Sequence, residues 1–519
     1  MQKTFCHSKV TTKSSRFGQC NGYFAIKFGE RSELEYMKNI FINTKSLIIL
    51  LSILSLFILV GCRDGSDDVI DLENVNWGFY NQRAEEFVIA VAQSDFDTAV
   101  GMFDEAMTAV VDADTLQEMW EETIITLAGE FIAIYDIENG MRDGFFISGV
   151  IMRHEEIGFG WNIVFSEDGL IAGINTAGTI PISPDTVERW TEKEQEPTQR
   201  DGFADYPVVI GDSAAFPLRA ILSMPDDVAE QVPAVVIVHG SGPNNMDGTI
   251  LGSDNALYRE IAEFLAANGI AVIRYDKRTY THGTQMIQEL GGSLTVWEES
   301  IEDALLATEM LRADSRIDSD RIYIIGHSLG GILAPRIHAE GGDFAGLILL
   351  AATPRPLIEL FIEQTITSVT TAIELGVVEK EDMADILADV DRLIELAGRI
   401  ANMSDEEAKE TSVPILSSSV YYLKDMMIHS FENYAQDIAI PILVMQGGRD
   451  FQILADVDFV LLQELFAGRD NVSFNLYDDL NHSFMPTTAE NFIEHAESIM
   501  TAGNVYTPVL QDIVDWILH

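Results

Sequence analysis

The pattern of apolar and polar positions changes character three times along the chain. Leu47–Val60 (LIILLSILSLFILV) is apolar except for two serines. That run is short for a bilayer span, which needs ~20 residues, and suits the hydrophobic region of a signal peptide. From Ala84 to Phe103 and from Asp114 to Leu127 apolar residues fall at helical spacing (Phe87, Val88, Val91, Phe96, Val100, Phe103). The period then drops to two in Phe131–Tyr135, Phe145–Met152 and Gly160–Phe165, with turn signals at Asn139-Gly140, Arg142-Asp143-Gly144 and Glu167-Asp168-Gly169. Helices followed by a meander predict a small α+β domain over residues 76–187. Its one titratable cluster, His154-Glu155-Glu156, reads as a solvated charge run. Residues 188–201 (ERWTEKEQEPTQRD) are polar, contain Pro197 and read as a linker.

From 202 to 519 short continuous apolar runs alternate with helical segments. Strands are predicted at Ala234–Val238, Ile270–Arg274, Arg321–Ile325, Leu347–Leu350, Ile442–Met445 and Val472–Tyr477. Helices are predicted at Tyr258–Ala267, Val296–Leu311, Ile332–Ala339 and Asn504–Leu518. Uninterrupted apolar strands between helices imply an α/β domain: a mostly parallel sheet with helices on both faces. Residues 355–437 break the rhythm, being mostly helical with no strand. An insertion there predicts a helical cap over the C-terminal edge of the sheet, where open α/β sheets hold their ligands.

Composition narrows the picture. The chain has 519 residues, with 32 Lys+Arg against 83 Asp+Glu, a net charge of −51. Hydrophobic residues make up 47%, enough to bury a sizeable core, which excludes wholesale disorder. The acidity argues against nucleic acid as a partner and against charge-driven adhesion to anionic lipid. The three cysteines are Cys6, Cys20 and Cys62, so the chain beyond 62 has no disulfide, thiolate metal site or cysteine nucleophile.

Cys62 has a context of its own. Lys38 and Lys45 precede the apolar run, Leu59-Val60-Gly61-Cys62 closes it, and the polar stretch Arg63–Asp68 follows. The arrangement resembles the signal and lipobox of bacterial lipoproteins. The resemblance implies cleavage before Cys62, acylation of its thiol, and a protein held on the extracytoplasmic side of the cell membrane by that lipid. Residues 1–61 would then be extension and signal, and 62–75 a tether. Such a signal would begin near Met37 (MKNIFINTK), which leaves 1–36 outside the fold. The chain after 61 carries 24 basic and 80 acidic residues, a net of −56.

Gly326-His327-Ser328-Leu329-Gly330 is G-x-S-x-G, placed after a strand (RIYII) and before a helix. Glycines permit a tight strand-to-helix turn there, and the turn projects the Ser328 hydroxyl at the sheet edge. The Leu329 N–H, at a helix N-terminus, is placed to meet developing negative charge. A serine hydroxyl needs a base. His239, His282, His327, His338, His429, His482, His495 and His519 are available, and only His482 falls in the loop after the last strand. His327 lies inside the turn, and His338 within the next helix reads as structural. A carboxylate must orient the base. Asp450, in Gly447-Gly448-Arg449-Asp450, follows the strand ILVM; Asp456 and Asp458 are rivals in the following helix. The loop His239-Gly240-Ser241-Gly242-Pro243 is small enough to approach a substrate oxygen. Its Ser241 N–H is the expected second oxyanion donor, with Gly242 the rival, and His239 is expected to stabilise the loop by donating a hydrogen bond.

In combination, HGSGP, GHSLGG, GGRD and NHSF, together with Arg274-Tyr275-Asp276-Lys277-Arg278, resemble the α/β-hydrolase superfamily, in its secreted bacterial esterase and serine-aminopeptidase-like branch. The likeness covers residues 202–519. Where that branch has glycine after RYDKR this chain has Thr279. The resemblance implies a serine hydrolase with a Ser328–His482–Asp450 triad, an acyl-enzyme intermediate and no cofactor or metal. Its expected substrate is a small-molecule carboxylic ester, with a short peptide the alternative. A non-catalytic, surface-bound lipoprotein is the weakest reading, because the triad is complete and in order.

Overall fold

The computed structural model describes residues 75–519, apart from 109–110, 126–127, 143–144, 155–157, 167, 181–196, 212–214, 227–229, 250–254, 377, 379, 381–382 and 414–417. The signal, Cys62 and its tether, and most of the expected linker lie outside the described residues. Among those described, no helix is long and apolar enough to cross a membrane.

Helix α1 spans Trp77–Ala92, and α2 spans Phe96–Val100. The single helix expected over Ala84–Phe103 is broken because Ser94 takes a left-handed φ of 60°. Asp95 then caps α2, accepting the Thr98 N–H at 3.3 Å. A four-stranded antiparallel meander follows: β1 (Phe131–Arg142), β2 (Phe145–His154), β3 (Gly158–Phe165) and β4 (Ile171–Ile180). One face packs Phe87, Val91, Phe103 and Trp120 against Val150, Met152, Trp161 and Ile163. His154 corrects an expectation. Strand alternation turns it inward beside Trp120 and Phe131, where its Nδ1 lies 2.8 Å from the Gly129 carbonyl.

The second sheet has nine strands. They are β5 (Thr198–Gln199), β6 (Phe203–Ile210), β7 (Leu218–Pro225), β8 (Val232–Val238), β9 (Ala271–Tyr275), β10 (Ile317–His327), β11 (Gly346–Leu350), β12 (Ile442–Gly447) and β13 (Val472–Tyr477). Their order is β13-β12-β11-β10-β8-β9-β7-β6-β5. From β13 to β9 all neighbours are parallel, and β7, β6 and β5 add antiparallel strands at one edge. This is the α/β-hydrolase fold.

Every residue of β8 and β11 is buried, because both faces are covered. Val235 and Ile237 pack with α3 (Leu257–Ala267) and α10 (Thr507–Leu518). Ala234, Val236 and Val238 pack on the opposite side with α5 (Glu302–Ala313) and α6 (Leu329–Ile337). Helix α4 (Arg278–Leu290) follows β9.

The insertion after β11 contains α7 (Leu357–Glu374), α8 (Ala384–Ala397) and α9 (Val420–Ile428). It also carries a short antiparallel pairing of Ser412–Val413 with Ser418–Ser419, where no strand was expected. Leu357, Ile358, Leu360 and Met426 are buried in the core shared with the body, and Phe361, Ile362 and Met427 pack against it. The insertion is fastened at its entrance. Asp458 accepts from Thr353 Oγ1 at 2.5 Å, Arg355 Nε at 2.7 Å and the Leu454 N–H at 2.7 Å, while Arg355 also reaches Glu363 at 2.6 Å.

Candidate active site

Strands β8, β10, β12 and β13 run parallel, so the segments leaving their C-terminal ends share one edge of the sheet. Between β10 and α6 stands Ser328, at φ 53° and ψ −116°. A non-glycine residue in that region is strained and persists only where its surroundings enforce it. The neighbouring glycines do so. A Cβ on Gly326 would overlap the Gly330 carbonyl, and one on Gly330 would overlap the carbonyl oxygens of Val238 and His239. Helix α6 therefore starts hard against β8. The Ser328 N–H donates to the Leu350 carbonyl at 2.8 Å. The Leu329 N–H opens the helix, where N–H groups have no intrahelical acceptor.

His482 Nδ1 lies 2.7 Å from Asp450 Oδ2, and the Asp450 side chain is fully buried. Asp450 Oδ1 accepts the N–H groups of Gln452 at 2.8 Å and Ile453 at 3.1 Å, and Gln446 Nε2 donates to Oδ2 at 3.2 Å. Burial alone would raise this carboxyl. The His482 charge and hydrogen bond, with His495 and the Ile453 N–H, outweigh it and hold Asp450 below the ordinary range. The rivals are placed elsewhere: Asp458 holds Arg355 and Thr353, and Asp456 is exposed.

The His327 ring centroid is 4.8 Å from that of His482, which brings the residue next to Ser328 in sequence against the His482–Asp450 pair. His327 Nε2 meets the His482 carbonyl at 3.0 Å and Nδ1 meets Tyr258 Oη at 3.2 Å. Burial, then the neighbouring His482, push its imidazole down to about 3, so it is neutral. His338 receives the Phe344 N–H at 3.0 Å, a structural contact.

The loop after β8 passes beside Ser328, since a Cβ on Gly240 would come within 3.3 Å of Ser328 Cβ. Tyr258 Oη accepts the Gly240 N–H at 3.0 Å. Asn244 Nδ2 donates to the carbonyls of Gly240, Ser241 and Gly242 at 3.3, 3.0 and 3.0 Å. In trans peptides the C=O and the following N–H point oppositely. Gathering these carbonyls on one amide thus turns the N–H groups of Ser241 and Gly242 to the other side. Ser241 is exposed, and Gly242 adopts a φ of 80°. The His239 ring stands edge-on to Tyr258 and Tyr275. Burial and then Lys277 bring its imidazole down to about 3, against a hydrogen bond to the Tyr275 backbone.

Several supporting contacts escaped the sequence reading, although NHSF and Arg274–Arg278 stand out there as motifs. Asn481 Oδ1 accepts the N–H groups of Ser483 at 3.0 Å and Met485 at 3.1 Å, which shapes the His482 loop. Its place in the NHSF motif, beside His482, was the signal. Arg274, Asp276, Lys277 and Arg278 are all buried. They pair respectively with Asp247 at 2.9 Å, Arg219 at 2.7 Å, Glu299 at 2.6 Å and Asp303. Thr279 falls in the first turn of α4, which then kinks at His282 (φ −127°, ψ 18°).

The chain is a hydrolase enzyme of the α/β-hydrolase fold. Residues 230–487 match the profile of a family described as serine aminopeptidase, S33. The chain is 28% identical to Esterase EstD of Thermotoga maritima over 446 residues, which is 85% of this chain and 96% of that protein. It is 25% identical over 152 residues to acylamino-acid-releasing enzyme 2 of Oryza sativa, 29% of this chain and 18% of that one. Among solved structures, Est1E from Butyrivibrio proteoclasticus superposes with a TM-score of 0.37 at 16% identity, over 60% of this chain and 99% of its own.

Proposed function

We propose that this enzyme hydrolyses carboxylic esters through an acyl-enzyme formed on Ser328. The observation that carries the reading is the buried His482–Asp450 hydrogen bond, 2.7 Å long, packed against the residue preceding the strained Ser328. Asp450 keeps the proton on Nδ1 of His482, which leaves Nε2 as the base. His482 takes the Ser328 proton as Oγ attacks the ester carbonyl. The N–H groups of Leu329 and Ser241 stabilise the oxyanion. His482 then protonates the departing alcohol, and water repeats the cycle to release the acid. Similarity to an esterase along most of the chain supports an ester over an amide.

The second reading is a peptidase, supported by the description of the matching family. The same side chains serve both reactions, so substrates must separate them. Acyl esters of increasing chain length, assayed beside aminoacyl anilides with Ser328→Ala as blank, are expected to be turned over in preference. Cleavage of anilides but not esters would replace the first reading with the second.

The location proposed for the enzyme is the outer face of the cell membrane, held by acylated Cys62. Its support is the lipobox-like sequence and a net of −56 after residue 61, which leaves charge unable to bind anionic lipid.

A further inference from the structure

The Gly240 carbonyl belongs to the same peptide group as the Ser241 N–H, and it has an unusual partner. Lys277 Nζ donates to it at 2.9 Å, alongside the Asn244 amide at 3.3 Å. Lys277 has a side-chain exposure of 1%, so this ammonium is withdrawn from water. Its charge is balanced by Glu299, whose Oε1 lies 2.6 Å from Nζ. The other Glu299 oxygen accepts from Tyr422 Oη at 2.5 Å. Tyr422 sits on α9, in the insertion. One buried line of contacts thus runs from the cap through Tyr422, Glu299 and Lys277 to the oxyanion loop.

Two physical consequences follow. In a trans peptide, fixing the oxygen on a buried ammonium fixes the N–H in the opposite direction. A cation on the carbonyl oxygen also draws electron density from the amide nitrogen, so the N–H donates more strongly. Chains of hydrogen bonds reinforce one another in this way, by about 10–30% per bond, and charge-assisted bonds are the stronger kind.

We propose that Lys277 is a positioning residue that aims and polarises the Gly240–Ser241 peptide as an oxyanion donor, and that Tyr422 makes this donor depend on the seating of the cap. The inference rests on the reading of the Ser241 N–H as an oxyanion ligand. Without the Tyr422 hydroxyl, Glu299 loses a donor and competes with the Gly240 carbonyl for the ammonium. The insertion then acts on the rate of the reaction.

The test compares Lys277→Met and Tyr422→Phe with the parent enzyme. The measurements are kcat and KM for a p-nitrophenyl ester, and inhibition by an aryl trifluoromethyl ketone, whose serine adduct places a negative oxygen in the oxyanion site. Complete removal of one such donor lowers kcat about 10²–10³-fold. Lys277→Met is expected to lower kcat about 10–100-fold, and Tyr422→Phe about threefold to tenfold, with KM within about twofold. Ketone affinity should fall by the same factor as kcat. A merely structural role would lower thermal stability without this matched loss. Tyr422→Phe removes one oxygen and decides the matter if Lys277→Met fails to fold. Normal kcat and ketone affinity in Tyr422→Phe would overturn the proposal. An inactive Ser328→Ala beside normal Lys277 and Tyr422 variants would sink this inference alone, whereas an active Ser328→Ala would remove the reading beneath it.

Discussion

Replacing Asp450 by Asn changes one oxygen to an NH₂ group, and the surroundings dictate which one. Oδ1 is held by the N–H groups of Gln452 and Ile453, so the amide oxygen must take that place. The NH₂ then falls where Oδ2 now accepts from His482 Nδ1. Two donors cannot face each other at 2.7 Å. The imidazole relieves the clash by moving its proton to Nε2, which turns Nδ1 into an acceptor. Nε2 can then no longer take the proton of Ser328. The negative charge that would stabilise the imidazolium is also lost. In a Ser-His-Asp enzyme the same exchange costs about 10⁴-fold in kcat, equivalent to about 5.5 kcal/mol. The assay is kcat for a p-nitrophenyl ester at neutral pH, with near-ultraviolet circular dichroism to verify folding. A folded Asp450→Asn enzyme within about tenfold of the parent would refute the reasoning and return Asp456 and Asp458 as candidates.

Acid stability should fall for a reason separate from catalysis. His239 and His327 are pushed down to about 3, and His495 to about 4, in each case chiefly by burial. Unfolded, each takes a proton near 6.5, so the unfolded state gains protons as pH drops below that value. Asp303, raised to about 7 mainly by burial, opposes this by one proton over the same window. The three histidines outweigh Asp303, so the unfolded state binds more protons and stability rises with pH between about 4.5 and 6. Chemical denaturation across that interval should show stability rising with pH, and a flat or falling profile would contradict it. Cys62→Ser, in cells, is expected to move the enzyme from the membrane to the soluble fraction and to abolish incorporation of labelled palmitate. Unchanged membrane association would exclude the lipid anchor.

The parallel strands and the serine turn were legible because their signals are local. Fully buried strands read as unbroken apolar runs, and a glycine-flanked serine between strand and helix has few structural alternatives. Strands β6 and β7 were not foreseen. Phe203–Ile210 and Leu218–Pro225 mix polar and apolar residues, and β7 finds its antiparallel neighbour, β9, some fifty residues away. Strand β4, with glycines at 173 and 178, lacks the apolar alternation that marked its neighbours. His154 was misread because acidic neighbours in sequence suggested solvent, whereas strand alternation turned the ring inward. The supporting polar residues had no spacing to reveal them. Tyr258 and Lys277 act on the backbone of a loop 18 and 37 residues away, contacts that exist only once the chain is folded, whereas Asn244 and Asn481 bond backbone groups of their own loops two to four residues off.

The central claim is that Ser328 is the nucleophile. An organophosphate with a p-nitrophenolate leaving group tests it most directly. Oγ forms the bond to phosphorus, p-nitrophenolate leaves, and His482 receives the serine proton. Intact mass and peptide mapping should find one phosphoryl group per chain, on Ser328, in step with loss of esterase activity, and none on Ser328→Ala. Inactivation with the adduct on another residue, or full esterase activity in Ser328→Ala, would contradict it.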